Sequence, residues 1–190
     1  GHPGKSLPRA SVELCYPGVT EPPVSITSVP IDDGDPFIAI ACEPVVGSYD
    51  PNEKSVVPSG ITSNNYISDK DELFYHIDFQ NTGSDTAFKV VIRDTLSEFL
   101  DPTTVISGAS SHPYNFKLFG KGILEWTFDN ILLPDSNTNE TQSHGFVKYH
   151  ISQKPGNPKN TLIKNRAAIY FDYNEPVITN YTVNLVYDTI

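Results

Sequence analysis

The alternation of apolar and polar side chains over residues 71–96 constrains the fold more than any other feature of the sequence. Two apolar runs with a period of two flank a polar turn at 81–85: Leu73, Tyr75, Ile77 and Phe79 before it, and Phe88, Val90 and Ile92 after it. Side chains along a β-strand point to alternate faces, so each run predicts a strand with one apolar face. Such a face must be buried against a second layer, and the sequence therefore predicts two packed β-sheets.

Similar short segments recur to the end of the chain and predict an all-β domain. We expect strands near 72–80, 87–94, 103–107, 114–119, 122–130, 143–152, 162–171 and 176–187. Long helices are not expected, because no apolar period of 3.6 is sustained along the chain. Trp126 shares a face with Leu124 and Phe128 and is the predicted centre of the core. We expect it to pack against the facing sheet, on Tyr75, Ile77 or Val147.

The region before this domain has a different composition. Half of the 16 prolines lie in residues 1–46, which predicts a Pro-rich N-terminal extension or the tail of a preceding domain, followed by a sandwich over 47–190. Cys15 and Cys42 have no companions with zinc-site spacing, so they are either free buried thiols or a disulfide pair. We favour the disulfide, which indicates an oxidising compartment.

The overall charge argues against one class of partner. The chain carries 13 basic and 23 acidic residues, a net charge of −10, whereas nucleic-acid binding needs clustered Lys and Arg. No apolar run reaches the roughly 18 residues of a membrane-spanning helix. There is no GxSxG sequence and no Gly-rich phosphate loop, and the five histidines lack metal-ligand spacing. We therefore expect neither an enzyme nor a nucleic-acid-binding protein, and no resident cofactor other than a calcium ion considered below.

Several longer phrases carry a resemblance to a known family. They are GSYDPNEK at 47–54, FQNTGSDTAFKVVIRDTL at 79–96, LEWTF at 124–128, SHGFVKY at 143–149 and IKNRAAIYFDYNEPVITN at 163–180. In this order they resemble an uncharacterised conserved β-sandwich domain. That domain occurs near the C-termini of secreted and surface proteins of Bacteroidetes that are type IX secretion substrates. The resemblance covers about three quarters of the chain.

The resemblance implies an immunoglobulin-like antiparallel β-sandwich in an extracellular or cell-surface protein. Its partners would be neighbouring domains of a larger secreted protein, and it supplies no catalytic residues. It also draws attention to three Asp-Thr-apolar triplets that match an O-glycosylation pattern of exported Bacteroidetes proteins. The acceptors would be Thr86, Thr95 and Thr189.

Two loops carry oxygen donors that suit calcium. Asp50, Asn52 and Glu53 lie in one predicted turn, and Asp172 and Asn174 lie beside the last hairpin. Calcium takes six to eight oxygen ligands, so the two loops could share one ion if they meet at one end of the sandwich. The alternative is that these side chains build turns by bonding to nearby backbone groups.

Asn165 is the single residue whose position most suggests a specific chemical role. It shares a face with Ala167, Ile169 and Phe171, so its amide is predicted to point inward and to need partners. Some surface sandwiches join such an Asn covalently to a Lys with the help of a buried carboxylate, and by that analogy Lys54 is the candidate amine. Periodicity places Asp78, Glu72 and Glu125 on outward faces, so no carboxylate is identified. The alternative is an inward amide that bonds only to backbone.

Two functional hypotheses follow from the sequence. The first is a non-catalytic structural or presentation module of a secreted or cell-surface bacterial protein. The second is an adhesion module that binds a glycan or a protein, in which exposed tyrosines supply stacking surfaces and calcium assists.

Overall fold

The structure is a computed structural model that describes residues 50–187 of the 190-residue chain. The predicted N-terminal extension, Cys15, Cys42 and Thr189 lie outside the described residues. Within them the chain forms twelve strands: β1 Lys54–Val57, β2 Tyr66–Ser68, β3 Glu72–Gln80, β4 Ala87–Thr95, β5 Ile106–Ser110, β6 Asn115–Phe119, β7 Ile123–Leu133, β8 His144–Ser152, β9 Leu162–Asn165, β10 Ala167–Phe171, β11 Val177–Ile178 and β12 Thr182–Tyr187. The only helical element over 50–187 is a single 3-10 turn, Pro102–Thr104.

The strands form three sheets. The first has the order β1-β3-β8-β5, the second β11-β10-β4-β7-β6 and the third β2-β12-β9. Every pair of strands is antiparallel except β2 and β12, which run parallel. The architecture is an immunoglobulin-like β-sandwich, as the sequence analysis predicted.

The predicted periodicity is the reason the two larger sheets stack. All four alternating apolar residues of β3 are at most 1% exposed: Leu73, Tyr75, Ile77 and Phe79. In the facing sheet, Val90 and Ile92 of β4 and Leu124, Trp126 and Phe128 of β7 are fully buried. The prediction was wrong for Phe88, which is 58% exposed because the register of β4 against β7 shifts between Ala87 and Lys89. Burying one apolar face of each sheet against the other removes these side chains from water, which is the main driving force for the fold.

Aromatic rings join the two layers at the centre of the core. The Phe79 ring lies 5.4 Å from the Phe128 ring, and the Trp126 ring lies 5.1 Å from the Tyr149 ring. Trp126 is fully buried, so its predicted place in the core is confirmed, with Tyr149 as its ring partner from the facing sheet. Gly145 is paired with Phe79, and a Cβ there would lie only 2.2 Å from the Phe79 ring, so this strand position leaves room for the ring.

The boundaries of several elements differ from the prediction. The strands β1 and β2 were not anticipated, because each holds at most four residues and neither shows a long alternation. The strand expected at 103–107 begins at Ile106, since Asp101 caps the 3-10 turn by accepting from the Thr103 backbone N–H at 3.0 Å. The strand expected over 162–171 is two strands that separate at Arg166, because β9 belongs to the third sheet and β10 to the second.

Candidate functional site

Three complementary polar side chains from three strands meet inside the sandwich. They are an amine, Lys54 of β1, a carboxyl group, Asp94 of β4, and a carboxamide, Asn165 of β9. Their exposed fractions are 1%, 0% and 2%. Polar groups are rarely buried this deeply unless they bond to one another, so this group of side chains, the buried triad, is the candidate functional site.

Strand geometry explains why each member of the triad points inward. Lys54 alternates with the exposed Ser55 and lies on the same face as the buried Val56. Asp94 lies two residues after the buried Ile92 on β4 and therefore shares its face. Asn165 follows Ile163 with the same spacing on β9. Each polar group thus occupies an inward position that an apolar side chain would normally fill.

The end of β1 is held in place by a side-chain clamp. The Lys54 backbone N–H donates to Asn180 Oδ1 at 2.8 Å, and Asn180 Nδ2 donates to the Lys54 carbonyl at 2.9 Å. Both backbone groups of Lys54 are therefore satisfied by one carboxamide from the segment that precedes β12. This clamp fixes the direction in which the Lys54 side chain enters the core.

The phenol of Tyr149 connects the three members of the triad. Lys54 Nζ donates to Tyr149 Oη at 3.1 Å, and Asn165 Nδ2 donates to the same oxygen at 3.0 Å. The Tyr149 hydroxyl in turn donates to Asp94 Oδ2 at 2.6 Å. Lys54 Nζ also donates directly to Asp94 Oδ2, and these two groups form a fully buried ion pair. One phenol oxygen therefore gathers the amine and the carboxamide beside the carboxyl group.

Two oxygen atoms of the triad have no hydrogen-bond partner within residues 50–187. They are Asp94 Oδ1 and Asn165 Oδ1. A buried acceptor without a donor costs free energy, about 1–3 kcal/mol by mutational evidence from other proteins. The triad is therefore not a fully satisfied structural network, and its polar groups have unused bonding capacity.

Aromatic rings form the walls around the amine. Lys54 Nζ lies 4.4 Å from the centre of the Tyr75 ring and 5.3 Å from that of Tyr149. The two rings stack on each other with their centres 5.0 Å apart. Such rings attract a cation by their faces and also exclude water from it.

Burial shifts the pKa values of the Lys54 amine and of the two surrounding phenols. Desolvation lowers the pKa of the Lys54 amine, and the neighbouring Asp94 charge only partly opposes that shift. Burial, reinforced by the Asp94 charge, raises the pKa of both the Tyr75 and the Tyr149 phenol. The phenols thus remain protonated, while the amine loses its proton more readily than a lysine in water.

Sequence reasoning found two members of the triad and missed the third. Lys54 and Asn165 were the candidate pair, and the structure brings both to one phenol oxygen. The missing carboxyl group is Asp94, which the alternation of Val90 and Ile92 already placed on the inward face. The signal was present in the strand pattern, but an Asp at the end of a strand is normally assigned to the following turn.

Side chains of the two predicted calcium loops accept hydrogen bonds from backbone N–H groups. Asn52 is buried and its Oδ1 accepts from the Gln80 N–H at 3.3 Å. The Asp172 carboxylate accepts from the Phe88 and Lys89 N–H groups at 3.0 and 2.8 Å. Among residues 50–187 no group of three or more His, Cys, Asp or Glu side chains could hold a metal. The Asn52 and Asp172 bonds join distant segments of the chain, whereas Asp50 Oδ1 accepts from the Asn52 N–H at 3.0 Å, a local bond of the kind that builds a turn. Calcium binding by Asp50, Asn52, Glu53, Asp172 and Asn174 stays a prediction.

The two predicted glycosylation sites within the described range differ in access. Thr95 is exposed at the end of β4, whereas Thr86 is half-buried before it. O-glycosylation at either site stays a prediction.

A second feature lies on the outer face of the first sheet. Phe74 of β3 stacks on His150 of β8 with ring centres 5.0 Å apart and an interplanar angle of 1°. The two rings border a shallow groove of about 280 Å³ that Val57 and Lys148 also line. Phe74 and Val57 are 50% and 65% exposed, so this aromatic groove presents apolar surface to solvent.

Comparison with known protein families identifies the family of this chain. A family model described as a domain of unknown function, DUF7619, matches residues 50–185. The chain belongs to the DUF7619 family. A search of curated proteins finds no match to this DUF7619 chain. Over the part of the chain that the structure describes, no helix is long and apolar enough to cross a membrane.

Two solved structures show the same fold as this DUF7619 domain. One is the C-terminal domain of the AgI/II polypeptide BspA of Streptococcus agalactiae, with a TM-score of 0.52, 14% identity and coverage of 74% of this chain and 51% of that one. The other is BcpA, the major pilin subunit of Bacillus cereus, with a TM-score of 0.50, 17% identity and coverage of 72% and 39%. The DUF7619 chain thus spans about half or less of each of these two chains. At these identities the likeness shows a shared fold.

Proposed function

We propose that this DUF7619 domain is a non-catalytic structural or presentation module of a secreted or cell-surface bacterial protein. The observation that carries the proposal is that the reactive side chains of the domain are buried in its core. Lys54 and Asp94 are 1% and 0% exposed, so a substrate from solvent has no access to them. An enzyme instead places its ionisable groups in an accessible cleft.

The cell-surface part of the proposal has two supports. The fold is shared with a chain described as a pilin subunit, and the sequence phrases resemble a domain of type IX secretion substrates in Bacteroidetes. In that setting the domain would position its neighbours along a larger exported chain.

Labelling of intact cells tests this location. A membrane-impermeant biotin reagent should modify exposed lysines of the domain, such as Lys89, on living cells of the native host. A cytoplasmic protein in the same cells serves as the control and should stay unmodified. Labelling of the domain only after the cells are lysed would refute a surface location.

The aromatic groove supports a second candidate, an adhesion module that binds a glycan. The exposed face of a ring is the surface on which a sugar stacks, and Phe74, which stacks on His150, is 50% exposed. Calcium would assist through the loops named above. A protein is the alternative class of ligand for such an adhesion module.

Substitution of Phe74 tests the aromatic groove. On a glycan array, read with and without a chelator, Phe74→Ala should weaken binding about tenfold, since lost stacking of about 1.4 kcal/mol gives that ratio. Phe88→Ala is the matched control, because Phe88 is similarly exposed, at 58%, but lies on β4 in the other large sheet. Absence of glycan binding by the unmodified domain, or an equal effect of both variants, would eliminate this candidate.

A further inference from the structure

We propose that Lys54 and Asn165 join in an intramolecular amide bond, with Asp94 as the group that carries the protons. This bond would cross-link β1 to β9 and release one molecule of ammonia. The inference goes beyond the proposed function and does not depend on it, because the reaction is internal to the fold.

The first support is the proximity of the Lys54 and Asn165 side chains. Lys54 Nζ and Asn165 Nδ2 both bond to Tyr149 Oη, at 3.1 and 3.0 Å, so the two nitrogen atoms are separated by no more than the sum of these distances. Both side chains are fixed by packing in strands rather than carried on loops. Holding two reacting groups in a fixed orientation lowers the activation barrier, because the entropy cost of bringing them together has been met by folding.

The second support is the protonation state that the site favours. Burial disfavours the charged form of the Lys54 amine, which is 1% exposed. An amine becomes a nucleophile only when it is neutral, and the low-dielectric walls of Tyr75 and Tyr149 favour that form. The direct contact between Lys54 Nζ and Asp94 Oδ2 provides the route for the proton.

The third support is the pair of unpartnered oxygens. Asp94 Oδ1 and Asn165 Oδ1 lack donors within the described range. Protonation of Asp94 creates an O–H donor, and Asn165 Oδ1 is an acceptor that needs one. Donation of that proton would polarise the Asn165 carbonyl and make its carbon, Cγ, more electrophilic.

The reaction balances without an external reagent. The Lys54 ammonium first passes a proton to Asp94, and the neutral amine attacks Asn165 Cγ while Asp94 protonates Oδ1. Asp94 then removes a proton from the attacking nitrogen and delivers it to Nδ2. The carbonyl re-forms as its proton returns to Asp94, the Cγ–Nδ2 bond breaks and ammonia leaves. One C–N bond replaces another, nothing is oxidised or reduced, and Asp94 ends as the carboxylic acid.

Intact mass measures the product directly. The folded domain should weigh less than its sequence mass by one ammonia, about 17 Da. Lys54→Met, Asp94→Asn and Asn165→Ala should each restore the full mass. Asn184→Ala is the matched control, because Asn184 is also fully buried with an unpartnered Oδ1 but contacts the Pro58 carbonyl instead, and it should keep the deficit.

Peptide mapping locates the bond. Trypsin cannot cleave after an acylated Lys54, but it does cleave after Lys164 and Arg166. The expected product is therefore residues 10–70 with the dipeptide of residues 165 and 166 attached through Lys54. Tandem mass spectrometry of this branched peptide identifies both linked residues.

The outcomes separate the proposal from simple misfolding. Asp94→Asn keeps the shape of the side chain, and circular dichroism checks that this variant has the β-spectrum of the parent. A full mass in the folded parent domain would overturn the cross-link. Retention of the deficit in folded Asp94→Asn would overturn the role of Asp94. Neither result bears on whether the domain is exposed on cells, which the biotin labelling tests.

Discussion

Lys54→Met is expected to destabilise the domain by about 3–5 kcal/mol, because it leaves the buried Asp94 carboxyl group without its Lys54 partner. Asp94 is fully buried and its Oδ1 already lacks a partner within residues 50–187. The variant also removes the amine of the proposed cross-link, so the loss of a covalent constraint would add to the effect. Urea unfolding followed by the fluorescence of Trp126, the single tryptophan, measures the change in free energy of unfolding.

A double variant separates the charge effect from the covalent effect. Lys54→Met with Asp94→Leu replaces the buried ion pair by apolar side chains, a change that is often neutral or stabilising. If only the charge matters, the double variant should regain the stability of the parent. If the amide forms, the double variant should remain less stable than the parent. Closing a loop of about 100 residues stabilises by up to about 4.7 kcal/mol in the chain-entropy treatment of disulfides, and the double variant lacks this bond. If the free energy of unfolding of Lys54→Met lay within about 1 kcal/mol of that of the parent, the expected destabilisation by this variant would be contradicted.

Trp126→Ala is expected to cost about 3–5 kcal/mol, because it opens a cavity at the centre of the sandwich. The ring is fully buried between Tyr149 and Phe116, with ring centres 5.1 and 5.3 Å away. Its indole N–H donates to Ser107 Oγ at 2.7 Å, so the substitution also removes a hydrogen bond. Urea unfolding followed by circular dichroism measures the loss, since this variant has no tryptophan.

Two further variants control this measurement. Trp126→Phe keeps most of the ring volume and should lose clearly less stability than Trp126→Ala. Phe88→Ala removes an aromatic ring that is 58% exposed and should change stability by about 0.5 kcal/mol or less. Equal losses in Trp126→Ala and Phe88→Ala would show that the core is not centred on the tryptophan.

A cross-link between β1 and β9 would suit a domain that transmits force along an exported chain. The bond would connect residues 54 and 165, so tension applied at the two ends would bypass the strands between them. A covalent bond does not yield under loads that separate hydrogen-bonded strands. The proposed amide would thus give the proposed presentation module its mechanical stability, although each is tested by a separate experiment.

The sequence alone determined the two larger layers, the core and most of the strands along the chain, but not the third sheet, β2-β12-β9. The strand predicted at 72–80 matches β3, and the one predicted at 87–94 matches β4 to within one residue. Trp126 was identified as the core residue from its neighbours two positions away. These predictions succeed because a period of two depends on local strand geometry, and they fail at Phe88, where the register shift in β4 interrupts that period.

Only the tertiary structure decided which side chains meet. Lys54 and Asn165 lie 111 positions apart in the sequence, and Asp94 lies on a third strand between them. Parity along a strand says whether a residue points inward, but not which inward residue of another sheet it faces. That depends on sheet order and register, as when β1 pairs with β3 and β9 with β12, and these follow from packing of the whole chain.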